Sequence, residues 1–192
     1  MEILTYKKAI HYRLSRHPDD LRQVLALQAK NLDTHLSPEV IRTQGFVTVK
    51  HSMDSLQLIC GKYGHMLAFD KDQLVAYALV MLNTYADKIP VLIPMFEQIN
   101  LLKYQNQLLC EQAYLVMGQV CVDEPYRGTG VFLELYQHMA SALSPHFKYI
   151  ITEVASRNPR SIRAHKKVGF QCIHRFTDAT DVWQIILWDW QK

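Results

Sequence analysis

From Ile10 to Arg16, apolar Ile10, Tyr12 and Leu14 alternate with His11, Arg13 and Ser15, a period of two that predicts a strand. The period then changes. Leu21, Val24, Leu25 and Gln28 share one side of a helix that Asp19 or Asp20 can cap. Ser37-Pro38-Glu39 is a second helix start, with Ser at the cap and Pro at the first helical position. A third helical stretch near Ser52–Cys60 should stop at Gly61 or Gly64. Two apolar runs, His65–Phe69 and Leu74–Leu82, flank Asp70-Lys71-Asp72-Gln73 and predict a hairpin.

The segment Asn83–Cys110 is broken by Pro90 and Pro94 yet carries many apolar residues, and it reads as a partly helical insertion between two strands. Ordinary connections run about 4–6 residues, so an insertion of this length needs a reason. It is expected to cover the ligand-binding side of the sheet, with Met95, Phe96 and Tyr104 lining a pocket. A contact with a second copy, or a small separate core, is the alternative. Beyond it the pattern is a strand over Ala113–Val122, a helix over Val131–Leu143 and an apolar strand over Tyr149–Ala155. Asn158-Pro159 opens a helix that Gly169 closes, and strands over Phe170–Phe176 and Val182–Trp190 end the chain. This order describes one α/β domain with a mixed sheet spanning residues 1–192. Tryptophans 183, 188 and 190 read as core and edge packing, or as a surface for a homodimer.

Composition narrows the class. With 192 residues, the chain suits one domain and can bury roughly 70% of its unfolded surface without staples. The longest apolar run, Leu74–Leu82, has 9 residues, about half a membrane span, and the first residues lack the apolar core of a signal peptide. A cytoplasmic protein with no membrane partner is therefore expected. A net charge of +3 is too weak to imply nucleic-acid binding. Cys60, Cys110, Cys121 and Cys172 sit 50, 11 and 51 residues apart, with no C-x-x-C spacing, and the histidines are scattered. No metal site is expected, and the cysteines read as buried or semi-buried free thiols.

Tyr126-Arg127-Gly128-Thr129-Gly130-Val131 lies between a strand and a helix. Such a turn aims main-chain N–H groups outward, and the helix behind it adds a partial positive charge, which together favour a phosphate or pyrophosphate. An ordinary tight turn is the alternative. The third glycine of a dinucleotide fingerprint and the Gly-Lys-Ser/Thr of a P-loop are both missing.

A second stretch adds to it. Glu153 is followed five residues later by Asn158, then by Ser161-Ile162-Arg163-Ala164-His165-Lys166-Lys167-Val168-Gly169-Phe170. Together the two stretches resemble the GNAT superfamily of acyl-CoA-dependent N-acetyltransferases over about Gln112–Phe170. The family's Gln/Arg-x-x-Gly-x-Gly/Ala signature is similar to Arg127–Phe132, although Phe132 replaces the small sixth residue. Its second signature is similar to Asn158–Phe170.

The resemblance implies a mostly antiparallel central sheet flanked by helices and splayed between its fourth and fifth strands. It implies acetyl-CoA as cosubstrate, its pantetheine arm paired with the main chain of Val120, Cys121 and Val122. The pyrophosphate would rest on the N–H groups of Arg127, Gly128, Thr129, Gly130 and Val131, with Phe132 beside them. Asn158 and Ser161 would flank the cofactor. His165 stands where many members have the tyrosine that protonates the departing thiolate; it can do the same or only pack. Glu153 is a base for the attacking amine or an anchor for a cationic acceptor, while Asp123 and Glu124 shape the turn before Pro125. Arg160, Arg163 and Lys167 share a helix side and contact the 3′-phosphate of CoA or form a solvated face. Cys121 is packing rather than a nucleophile.

The implied activity is transfer of an acetyl group to a primary amine, on a small molecule or peptide, by direct attack on the thioester. The competing reading is a catalytically weak CoA-binding sensor or scaffold of the same fold. A nucleic-acid-binding module would need a longer basic stripe.

Overall fold

The computed structural model describes residues 9–35, 37, 39, 41 and 46–192. Strand β1 (Ile10–Leu14) leads into helix α1 (Pro18–Asn31). The helix begins earlier than a cap at Asp19 or Asp20 would place it: His17 is the cap and Pro18 opens the first turn. Asp20 instead turns its carboxylate back to the N–H groups of Arg16 (2.8 Å) and His17 (3.2 Å) and pairs with Arg13 at 2.6 Å. The Arg13 guanidinium and these N–H donors hold the Asp20 carboxyl well below the usual range. The helix start at Ser37-Pro38-Glu39 lies largely outside the described residues; Ile41 N–H donates to Ser37 O at 3.0 Å.

Helix α2 (Met53–Ile59) is capped by Ser52, whose hydroxyl accepts the Ser55 N–H at 3.2 Å. Strands β2 (Met66–Asp70) and β3 (Gln73–Leu82) form the expected hairpin. The insertion contains helix α3 (Ile93–Leu101) and a two-residue-per-strand hairpin, β4 (Lys103–Tyr104) and β5 (Gln107–Leu108). Then come β6 (Tyr114–Val122), α4 (Val131–Leu143), β7 (Tyr149–Ala155), α5 (Pro159–Val168), β8 (Gln171–Thr177) and β9 (Val182–Asp189).

Seven strands form one sheet in the order β1-β2-β3-β6-β7-β9-β8. Among the described residues its only parallel pair is β6 with β7, the fourth and fifth strands of that order, so the sheet is mixed and mostly antiparallel. One face buries Leu21, Val24, Leu56, Ile59 and Phe96 from α1, α2 and α3. The other buries Leu135, Met139 and Phe170. Apolar β3 is covered on both faces, which explains why it reads as a continuous run. Gly169 ends α5 at φ +125°, and a Cβ there would lie 2.8 Å from Trp188 Nε1, so both conformation and space demand glycine.

The pairing of β6 with β7 runs from Tyr114↔Tyr149 to Val116↔Ile151 and then stops, although both strands continue. Thr152 Oγ1 donates to Met117 O at 2.8 Å, a side-chain link where the main-chain ladder gives out. Beyond it the two strands diverge.

This geometry corrects the expectation for the insertion. Because β3 is antiparallel to β6, its last residue Leu82 pairs with Leu115, at the closed end of the divergence. The insertion leaves there. The Tyr104 ring meets that of Tyr149, the first residue of β7, at 5.2 Å. Met95 and Phe96 are 2% and 4% exposed and belong to the main core rather than a separate one, and they line neither of the two cavities described below. Two cysteines also depart from the reading of buried thiols: Cys60 and Cys121 are buried, but Cys110 and Cys172 are exposed. Among the described residues, no helix is long and apolar enough to cross a membrane.

Candidate active site

Two adjoining cavities occupy the divergence. The larger, about 500 Å³, is walled by β6 (Val120–Val122), Tyr126, Arg127, Gly128 and Gly130 of the turn, Phe132, and one side of α5 from Arg160 to Lys167. The smaller, about 80 Å³, lies between Met117–Val120 and Thr152–Ala155. Phe46, Val47, Val120, Asn158 and Ser161 line both, so the two communicate.

The edge of β6 that faces the opening is unevenly occupied. Asp123 N–H donates to Val75 O of β3 at 2.8 Å, so alternation turns the Cys121 main chain toward β3 and those of Val120 and Val122 toward the opening. Met117 O accepts from Thr152, and Val122 O accepts from Arg127 Nε at 3.0 Å. Between these two occupied carbonyls, Val120 offers a strand edge to an extended ligand. Cys121 itself is 7% exposed, and burial pushes its thiol up to about 12, so no thiolate forms near neutrality.

The glycine turn has the features of an anion cradle. Gly128 and Gly130 adopt φ +80° and +99°, and the first helical bond of α4 is Glu134 N–H to Gly130 O at 3.1 Å. The N–H groups of Val131 and Phe132 precede that bond and stand at the positive end of the helix. One detail differs from expectation. Arg127 N–H already donates to Glu124 O at 3.1 Å, and its guanidinium reaches Asn31 Oδ1 at 2.5 Å, so Arg127 walls the cavity with its side chain. The Val131 side chain is core, and Thr129 Oγ1 donates to Tyr126 O at 2.7 Å. Asp123 caps the turn, accepting the Glu124 N–H at 3.1 Å.

Asn158 caps α5, its side-chain oxygen accepting the Ser161 N–H at 3.1 Å. Arg160, Arg163 and Lys167 all line the larger cavity, which favours a polyanionic ligand over a purely solvated face.

Glu153 projects into the smaller cavity, and its Oε2 is buried without a hydrogen-bond partner. Burial, and then the negative charge of Asp178, raise its carboxyl to about 8.

His165 is only 1% exposed. Its Nδ1 lies 2.9 Å from Ser161 O, and Nε2 lies 2.7 Å from the Tyr136 hydroxyl. Burial keeps the Tyr136 phenol protonated, so it donates to Nε2 while Nδ1–H donates to Ser161 O. The imidazole is then neutral, and burial pushes its pKa down to about 4. Phe132 packs edge-on against it at 5.1 Å, and Phe170 at 5.1 Å. The bulky residue at the position where the family signature has a small one thus helps bury the histidine. Of the two readings of His165, this geometry supports packing.

His51 and His65 are likewise buried with pKa values pushed down to about 4. Each of the three imidazoles binds a proton more readily in the unfolded chain. The stability these three contribute should therefore be full above about pH 6.5 and be lost toward pH 4, by on the order of 10 kcal/mol in sum. Urea midpoints at pH 7.5 and 5 measure this; equal midpoints would contradict neutral buried imidazoles.

Several wall residues carried no sequence signal. Asn31 and Phe46 arrive from a distant segment, and Trp183 faces the smaller cavity rather than serving only as packing. Gly118 is different. The register passes from Leu79↔Gln119 to Val80↔Met117, leaving Gly118 unpaired in a bulge beside the smaller cavity. A lone glycine inside a strand pattern is the signal for that. Gln119 next to it anchors the outer wall: Tyr77 and Gln28 donate to its Oε1 (2.6 and 3.0 Å), and its Nε2 donates to Val49 O (2.7 Å).

No curated protein matches the sequence. Among solved structures, the fold is similar to Arabidopsis thaliana NAA60 in complex with acetyl-CoA, with a TM-score of 0.63, 15% identity, and 94% of this chain and 99% of that one covered. It is similar to an acetyltransferase of the GNAT family from Streptococcus agalactiae 2603, with TM-score 0.64, 15% identity and coverage of 96% and 97%. The ribosomal-protein-S18-alanine N-acetyltransferase of Escherichia coli gives a TM-score of 0.61 at 12% identity, with 94% and 93% covered. At these identities the likeness is one of fold. The sequence model described as Acetyltransferase (GNAT) family matches residues 39–170, spanning α2 to α5 and with them the glycine turn, the divergence of β6 from β7 and Asn158. The chain belongs to the GNAT family of acetyltransferases, whose cosubstrate is acetyl-CoA.

Proposed function

We propose that this protein transfers an acetyl group from acetyl-CoA to a primary amine by direct attack on the thioester. The observation that carries the reading is the junction of the two cavities, with an anion cradle at one end and the buried Glu153 carboxyl at the other. Gly128, Gly130, Val131 and Phe132 would hold the pyrophosphate by main-chain N–H groups, and Val120 would pair with the pantetheine arm. Arg160, Arg163 and Lys167 would meet the remaining phosphate charge. The main chain at the Gly118 bulge would donate to the thioester oxygen as negative charge builds there. Glu153, once ionised, takes a proton from the amine, which lets the nitrogen lone pair attack. With His165 neutral and bonded on both nitrogens, the second amine proton is the one available to the departing thiolate.

That same burial of His165 is the observation favouring a weakly catalytic CoA sensor. Turnover separates the two readings. Release of free thiol from acetyl-CoA should accelerate at least tenfold over the protein-free rate with one member of a panel of spermidine, an aminoglycoside, lysine amide and an alanine-led peptide. Tight acetyl-CoA binding without thiol release from any of them would favour the sensor.

A further inference from the structure

Arg157, in the turn between β7 and α5, joins two segments that carry walls of the smaller cavity. Its Nε donates to Asp181 in the β8–β9 turn, and Nη2 lies 3.7 Å from Asp33, just beyond α1. The guanidinium carbon stands 4.5 Å from the centre of the Phe46 ring. Phe46 walls both cavities, and Trp183, two residues past Asp181, walls the smaller one. Each segment has main-chain bonds of its own: Asp33 N–H to Val47 O and Val47 N–H to Asn31 O, both 3.0 Å, on one side, and Ser156 N–H to Val182 O, 2.8 Å, on the other. Arg157 spans from the first segment to the second.

A guanidinium suits that task. Its planar fork presents donors in two directions while its face stacks on an aromatic ring, which a lysine ammonium cannot reproduce. We propose that Arg157 is a positioning residue that sets the shape of the acceptor entrance by strapping Asp33 and Phe46 to Asp181. The inference rests on the acetyltransferase reading, which makes the smaller cavity the acceptor's. Its side chain is 48% exposed, so its contribution to global stability is small and its effect is local.

Arg157→Ala tests it by two independent measurements. Amide hydrogen exchange at Asp33 and Val47 should quicken several-fold with the urea midpoint unchanged. For the panel amine with the highest wild-type kcat/KM, KM should rise about tenfold, since small misplacements of a reactant are costly. The KM for acetyl-CoA should stay within twofold. Arg157→Lys should recover less than half of the loss, and Asp181→Asn should reproduce it. Unchanged exchange at both amides, or equal rises in both KM values, would overturn the strap. Wild-type protein that binds no acetyl-CoA by calorimetry would instead overturn the acetyltransferase reading, while exchange still decides the strap.

Discussion

Gly130→Asp should weaken acetyl-CoA binding by about a hundredfold or more while leaving the protein folded. The position is the cap of α4 at φ +99°, and a Cβ there would meet only Glu134 Oε1, at 3.9 Å. Space is therefore available, and Asp tolerates positive φ better than most residues. The damage is electrostatic. A carboxylate about 4 Å from a phosphate charge costs about 4 kcal/mol at an effective dielectric of 20, enough for losses of that size. Glu134, held by the Tyr12 hydroxyl at 2.9 Å, would add some repulsion within the helix, so the melting temperature should drop by a few degrees. Gly130→Asn separates charge from shape: it should lose less than a tenth as much affinity as Asp. Isothermal calorimetry decides it. Unchanged affinity in the Asp variant would remove the pyrophosphate from this turn, and equal losses in both variants would remove the charge argument.

Glu153→Gln should lower kcat by roughly 10²- to 10⁴-fold, the range expected for loss of a positioned base, with acetyl-CoA affinity nearly unchanged. Because the carboxyl sits at about 8, the wild-type rate should climb with pH and level off above that value. The variant should lose this limb. Stability offers a second readout with a definite sign. A carboxyl whose pKa is raised on folding binds more protons in the folded state, so it costs stability as pH rises from about 4.5 to 8, and the cost is constant above that. Gln removes that cost. Its melting temperature should exceed wild type by roughly 10 °C at pH 9 and match it near pH 4. A wild-type rate with the limb intact would return Glu153 to an anchoring role, whatever the melting curves show.

Local chemistry accounts for most of what is legible in the sequence. Strand and helix boundaries from β6 onward follow period, caps and glycines, each a property of a few neighbouring residues. The glycine turn and Asn158 are legible for the same reason, since main-chain anion binding and side-chain capping need short spacings. Errors arise where a residue's role depends on what faces it. Asp20 looks like a cap, yet Arg13 and the N–H groups of Arg16 and His17 recruit it from the third helical position. Met95 and Phe96 look like pocket walls, yet antiparallel pairing of β3 with β6 delivers the insertion to the closed end of the divergence.

The sequence by itself determined the mixed α/β order, the glycine turn ahead of α4, and the placement of Glu153 on a strand and His165 on the helix that Asn158 opens. Only the tertiary structure decided their chemical states. Phe132, Tyr136 and Phe170 enclose His165 and hold it neutral, whereas Glu153 is buried without a donor beside Asp178 and is poised near neutrality. The parting of β6 from β7 after Val116↔Ile151, and the arrival of Asn31, Phe46 and Trp183 at the opening, are likewise tertiary facts. The physical reason is common to all of them: desolvation and Coulomb energy depend on distances between atoms far apart in the chain, and no local pattern of residues encodes those distances.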